Sequence, residues 1–176
     1  MPIHRNPGAG ATSGEGANVT LFLKTKRAGV VKGESQVDHH VDEITLHGWR
    51  WGLEAGSALG HSVITSRRSY TGLTIFKRID LATTPLMSAL ATNDEVTEAR
   101  LTMRRAGGDQ EIFYTITLKG ARVDSVVHDF DSGGQTNEVV TFMFTKVDIE
   151  YRPQKSSGLR GGSMTFNDEL SPAGNP

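Results

Sequence analysis

Apolar and polar residues alternate through most of this chain, with the period of a strand rather than a helix. VTLFLK (19–24) is the first such run and predicts a strand. In EITLHGWRWGLEAG (43–56), Ile44 and Leu46 share one parity, while Trp49, Trp51 and Leu53 share the other. Gly48 stands where the parity changes. Either a bulge there re-aims the aromatics, or the strand is covered on both faces. GLTIFKRID (72–80) predicts a third strand, and VTEARLTMRR (96–105), QEIFYTITLKGARVDSVVHD (110–129) and EVVTFMFTKVDIEYRP (138–153) complete the set. The turns AGGD (106–109) and DSGGQT (131–136) supply the glycines that hairpins need. In the last strand Phe142 and Phe144 share a parity, and Val147, Ile149 and Tyr151 take the opposite one. Apolar residues on both faces imply a cover on each, and in a chain this short the second cover is expected to be another subunit.

One segment breaks the alternation. In TTPLMSALATND (83–94), Thr84 suits a helix cap and Pro85 the first helical position, and Leu86, Met87 and Leu90 form one apolar face. A short helix ending near Asn93 follows. The fold class predicted is mainly β: an antiparallel β-barrel or sandwich with one short flanking α-helix.

The remaining stretches are connections. Residues 1–18, rich in Gly, Ala, Ser and Asn, read as a disordered tail. Residues 19–166 form one domain, with an irregular arm after Pro153, and residues 167–176 form a frayed end. KRAGVVKGESQVDHHVDE (26–43) is a long polar connection, of the length that functional loops have, and 57–69 is irregular.

Composition narrows the function. The 176 residues hold one domain and one core. Twenty glycines fit a turn-rich β fold, and the absence of cysteine excludes disulfides, thiolate metal sites and a thiol nucleophile. A formal charge of -1 gives no basic field to hold nucleic acid. The start of the chain has no apolar run of the signal-peptide kind, and no window is long enough to span a bilayer.

Candidate chemistry is sparse. His39, His40, Asp42 and Glu43 in VDHHVDE are possible metal ligands, but adjacent histidines on a strand diverge and no second cluster completes a set. His47 and His61 are isolated. There is no G-x-S-x-G elbow, and the GGDQ and SGGQ turns lack the Lys-Ser/Thr sequel of a phosphate loop. The basic spots SRRS (66–69), MRRA (103–106) and LRGG (159–162) have no interleaved aromatics. Neither an enzyme, a cofactor nor a metal is expected.

Four blocks, in order and at matching spacing, resemble the haemolysin co-regulated proteins (Hcp), tube subunits of the type VI secretion system. VVKGESQVDHHVDEITLHGWRWG (30–52) carries a G-E-S loop (Gly33, Glu34, Ser35), then Glu43-Ile44, then Trp49-x-Trp51. LTIFKRIDLATTPLMSA (73–89), ARLTMRRAGG (99–108) with YTITLKGARVDSV after it, and VDIEYRPQKSSGLRGG (147–162) are the others. The N-terminal extension is longer than the family's, and its aromatic ending is only partly echoed by MTFND (164–168). The resemblance implies a homohexameric ring, stacked rings forming a tube inside a sheath, a VgrG-type spike protein at the tip, and a lumen able to hold small effector proteins. It implies assembly in the cytoplasm and secretion without a signal peptide, with no nucleic acid and no membrane insertion. A phage-type tail tube protein and an Hcp-like effector carrier are the alternative readings. On this basis the loop residues Gly33, Glu34 and Ser35 and the arm residues Gln154 and Lys155 are candidate subunit or ring contacts. Arg50, between two inward tryptophans, faces outward by strand alternation. It is a candidate cargo contact in the lumen, with the ring exterior as the alternative.

Overall fold

The computed structural model describes residues 18–56, 67–106, 111–153 and 162–170. The chain opens with β1 (Asn18–Thr25), β2 (Gly29–Val31), β3 (Ile44–Leu46) and β4 (Gly48–Arg50). There follow β5 (Leu53–Gly56), β6 (Arg67–Tyr70), β7 (Leu73–Lys77) and the helix α1 (Thr83–Ala91). The rest is β8 (Val96–Arg104), β9 (Ile112–Lys119), β10 (Arg122–Phe130), β11 (Thr136–Met143), β12 (Lys146–Tyr151) and β13 (Met164–Glu169). A seven-stranded sheet runs β13-β12-β9-β8-β1-β2, with β3 also paired to β1. A four-stranded sheet runs β10-β11-β7-β4, and β5 and β6 form a separate hairpin. The strand pairs are antiparallel. The mainly-β expectation holds in its sandwich form; among the described residues the hydrogen-bonded paths do not close into a barrel.

Three of the predicted long strands are divided: 43–56 into β3, β4 and β5, 110–129 into β9 and β10, and 138–153 into β11 and β12. The chain leaves the seven-stranded sheet after β3, turns at His47 and enters the four-stranded sheet as β4. The His47 amide, donating to the Phe76 carbonyl at 3.0 Å, anchors the turn. The run 110–129 bends likewise at Gly120, between β9 and β10, and the run 138–153 at Phe144–Thr145, between β11 and β12. Such corners are how a strand serves both layers of a sandwich. The last two corners touch, since the Thr145 amide and hydroxyl donate to the Lys119 carbonyl at 3.3 and 3.2 Å. Gly120 has a φ of +54°, and a Cβ there would stand 2.3 Å from Thr145 Oγ1.

The corners correct two readings. The parity change at Gly48 is a change of sheet rather than a bulge. Phe142, Phe144 and Val147 are all buried in one core, reached from both sheets, and Ile149 packs against it, so these need no second subunit to cover them; Tyr151, at 39%, stays exposed. That core joins Leu21, Leu23, Leu101, Ile116, Leu118 and Val147 of the large sheet to Leu73, Ile75, Val140 and Phe142 of the small one, all fully buried. Each such aliphatic side chain contributes about 1.5–3 kcal/mol.

The helix starts at Thr83, and Ala82 stands at its N-cap position with no side-chain cap. The Thr83 hydroxyl is engaged in the core instead, and Thr84 is exposed. Thr83, Leu86 and Ala89 form the buried face, while Met87 and Leu90 are exposed at 47% and 37%. The predicted apolar face is therefore rotated: Leu86 is buried as expected, with Thr83 and Ala89 in place of Met87 and Leu90, and α1 packs against β10. The 26–43 connection contains the short strand β2, and the end of the 57–69 segment, read as irregular, enters β6. The 131–136 turn is a hairpin as expected. Asp131 Oδ1 accepts from the amides of Gly133 (2.9 Å) and Gln135 (3.0 Å), and Gly134 has a φ of +77°. The strands around 106–109 pair as a hairpin whose tip lies outside the described residues, as does the N-terminal tail. Met164–Glu169 forms a strand where an irregular arm and a frayed end were expected.

Candidate functional site

Arg50 ends β4, an edge of the four-stranded sheet, and pairs with Thr74 of β7. Trp49 beside it turns inward and stacks on Tyr114 of the opposite sheet at 6.0 Å, with 16° between the rings. Trp51 packs on Tyr70 at 5.8 Å. Arg50 is exposed, as alternation requires. The register continues Arg50–Thr74–Thr141 across the outward face, with the two threonine hydroxyls 3.2 Å apart.

The G-E-S loop is a clamp within the chain. The Gly33 amide donates to the Asp42 carbonyl (2.7 Å), the Ser35 amide to that of Glu43 (3.0 Å), and the Asp42 amide to that of Ser35 (3.0 Å). A Cβ on Gly33 would lie 2.5 Å from the Glu43 carbonyl oxygen and 2.6 Å from Ile44 Cα, so only glycine fits. Gly33 and Ser35 are buried; Glu34 between them is exposed. The four ligand candidates of this loop separate: His40 Nδ1 meets Glu43 Oε2 at 2.9 Å, Asp42 meets Lys32 at 2.9 Å, and His39 is exposed. Among the described residues no three potential ligands converge. Gln154 and Lys155 lie outside the described residues.

Of the basic spots, residues 66 and 159–161 lie outside the described residues. Arg104 is buried, with Nη1 donating to Thr20 Oγ1 at 3.3 Å and Nε and Nη2 unpaired. Burial lowers its pKa, and the charge of Glu43 opposes that. Arg105 lies over the Phe113 ring at 4.7 Å.

Arg68 of β6 grips Asp168 of β13 through Nε and Nη2, the latter at 2.9 Å, and the Tyr70 hydroxyl donates to the same carboxylate. The C-terminal strand thus fastens the base of the β5–β6 hairpin. Hydrogen bonds from Tyr70 and then Arg68 hold the Asp168 carboxyl below its ordinary range. Burial first, and Asp168 second, raise the Tyr70 phenol. A depressed carboxyl stabilises the fold above its unfolded pKa and loses that contribution as pH falls through the folded value. Asp168→Asn is expected to flatten the melting temperature against pH across that acid window. It is also expected to move the Tyr70 titration, followed by ultraviolet absorbance, down towards an ordinary tyrosine. An unshifted phenol titration would mean that the grip does not hold in solution.

Sequence reasoning missed the buried charges. Lys77 and Glu138 are both fully buried, 3.3 Å apart. Lys77 Nζ also reaches the Arg78 carbonyl (2.9 Å), Thr83 Oγ1 (3.2 Å) and Asp80 Oδ1 (2.7 Å). Thr83 donates to Glu138 Oε2 at 2.6 Å, and His128 Nε2 lies 3.3 Å from the same oxygen. The network ties the start of α1 to β7, β10 and β11. Its signal was parity: Lys77 continues the inward set Leu73-Ile75, and Glu138 precedes Val140-Phe142.

Among the described residues the chain is a two-layer sandwich closed around its own core and fastened by clamps within the chain. A family model described as "Type VI secretion system effector, Hcp" matches residues 22–151. The chain is 37% identical over 149 residues to Protein hcp1 of Pseudomonas aeruginosa, a span of 82% of this chain and 90% of that one. The crystal structure of Hcp1 from Salmonella typhimurium superposes with a TM-score of 0.68 at 27% identity, over 87% of this chain and 95% of that one. A structure described as that of a type six secretion system protein shares the fold, with a TM-score of 0.75 at 24% identity, over 86% and 95%. The chain belongs to the Hcp family, the tube-subunit family of type VI secretion, whose members are secreted and structural rather than enzymatic.

Proposed function

We propose that six copies of this chain close into a ring, and that rings stack into the tube that a contractile sheath expels, with a VgrG-type spike at its tip and small effector proteins in the lumen. The observation that carries this reading is the four-stranded sheet. Among the described residues neither of its edge strands, β4 and β10, has a further strand paired to it, and they are different strands. A ring needs a head-to-tail contact between two different surfaces. An open edge left alone invites uncontrolled pairing, and a closed ring removes that liability. The outward face between those edges, with Arg50 and the paired threonines, then lines the lumen. Glu34, held out by the Gly33 and Ser35 clamp, is the contact residue of its loop, and Gln154 and Lys155 are assigned to contacts from the arm.

Negative-stain images of the purified protein test the ring: six-fold particles with a central hole are expected, and a field of single small particles would refute it. Arg50→Glu tests the lumen. Rings should persist, while an effector with an acidic surface that co-purifies with the parent should be lost, as it should from the parent at high salt. Retention of such cargo by intact Arg50→Glu rings would remove Arg50 from the lumen.

A further inference from the structure

Exposed apolar side chains are spread over the described residues, Phe130 of β10 the most exposed of them at 75%, and two groups of them lie on elements that pair with different neighbours. The first is α1. Its sequence, TTPLMSALA, contains no charged residue, although a surface helix ordinarily carries charge on its outer face. Met87 and Leu90 are exposed, and the loop leading in adds Ile79 at 51% and Leu81 at 62%. The second is β13. Among the described residues it pairs only with β12, and Met164 is exposed at 66% and Phe166 at 40%. Met164 faces Tyr151 across the ladder, and Tyr151 is 39% exposed. β13 begins beyond residue 151, where the family match ends.

We infer that these are the two halves of one contact between copies: the outer face of α1 on one chain covers Met164, Phe166 and Tyr151 on the next. The inference rests on the ring reading and assigns surfaces to it. The patches suit each other in kind, an uncharged helix face against an apolar strand face. At the borders, exposed Arg78 stands beside Ile79 and exposed Glu169 ends β13, while exposed Arg152 follows Tyr151 and is paired with Glu150. The patches also differ from each other and sit on separate elements. That gives a head-to-tail contact, which repeats, rather than a self-complementary one, which stops at two. Contiguous apolar surface of this kind marks an interaction site.

The test uses the full chain with charge placed in each patch: Met87→Glu with Leu90→Glu on the helix, and Met164→Glu with Phe166→Glu on the strand. All four positions are exposed, so the fold should persist, and circular dichroism checks it. Alone, each variant is expected to sediment as a single chain. Mixed one to one, the two should form a two-chain complex, because each retains the half the other has lost. Folded variants that keep the parent's mass would overturn the inference, assigning these surfaces to another partner and leaving the ring reading intact. A mixture that stays single-chain would also overturn it. A parent that is itself a single chain would overturn the ring reading and this inference together. The chain has no cysteine, so Met87→Cys with Phe166→Cys gives an independent reading. Oxidation should produce a ladder of linked chains, and its absence from folded rings would count against the contact.

Discussion

Lys77→Met is expected to destabilise the subunit by about 3–5 kcal/mol, the cost of leaving one charge of a buried pair without its partner. The reason lies in how the protons are shared. The ammonium of Lys77 is directed at the Arg78 carbonyl, Thr83 and Asp80, and it meets Glu138 Oε1 at 3.3 Å as a charge rather than as a hydrogen-bond donor. Without Lys77, that oxygen has no hydrogen-bond partner and no counter-charge from β7. Removing both charges should be far milder: Lys77→Met with Glu138→Leu replaces the pair by apolar groups, a change often close to neutral. Urea unfolding at one fixed protein concentration measures both variants, because assembly adds to apparent stability. A single-variant cost below about 1 kcal/mol would show that the charges are not closed off from water in solution.

Gly33→Ala is expected to cost about 2–3 kcal/mol, through strain at a packed backbone crossing rather than through any lost contact. The added Cβ would meet the carbonyl oxygen of Glu43 and the Cα of Ile44, at 2.5 and 2.6 Å. Neither atom belongs to a flexible side chain. The loop must move, and the bonds from Gly33 to Asp42 and from Ser35 to Glu43 move with it. Glu34 then loses its fixed position, so contacts made through this loop should weaken along with stability. Gly162→Ala is the control, since nothing lies within 4 Å of its Cβ position. Its effect should stay within about 0.5 kcal/mol. Equal melting temperatures for the two variants would contradict the clamp.

Strand identity was legible because alternation is local. The corners were less so. The parity slip at Gly48 and the one after Phe144 were visible, but a bulge, a doubly covered strand and a change of sheet leave the same local trace. Which of them occurs depends on partners far along the chain: Phe76 for His47, and Lys119 for Thr145. Lys77 and Glu138 were likewise readable as charges at inward positions, yet their pairing joins strands 61 residues apart. β13 was missed because Met164, Thr165 and Phe166 are all exposed, which gives no amphipathic signal. Its grip on the hairpin spans 100 residues, from Arg68 to Asp168. In the helix, Pro85 and the apolar spacing located the element, but Thr83 rather than Thr84 proved the key hydroxyl, because its partners lie on β7 and β11. The role of Arg50 was legible only as orientation; alternation sets which way a side chain faces, not what stands opposite it.

The most direct test of the account is the mass of the purified particle by light scattering at micromolar concentration. Six chains of 19.1 kDa give about 115 kDa, and a homogeneous particle of that mass is the predicted result. A homogeneous single chain at the same concentration would contradict the ring.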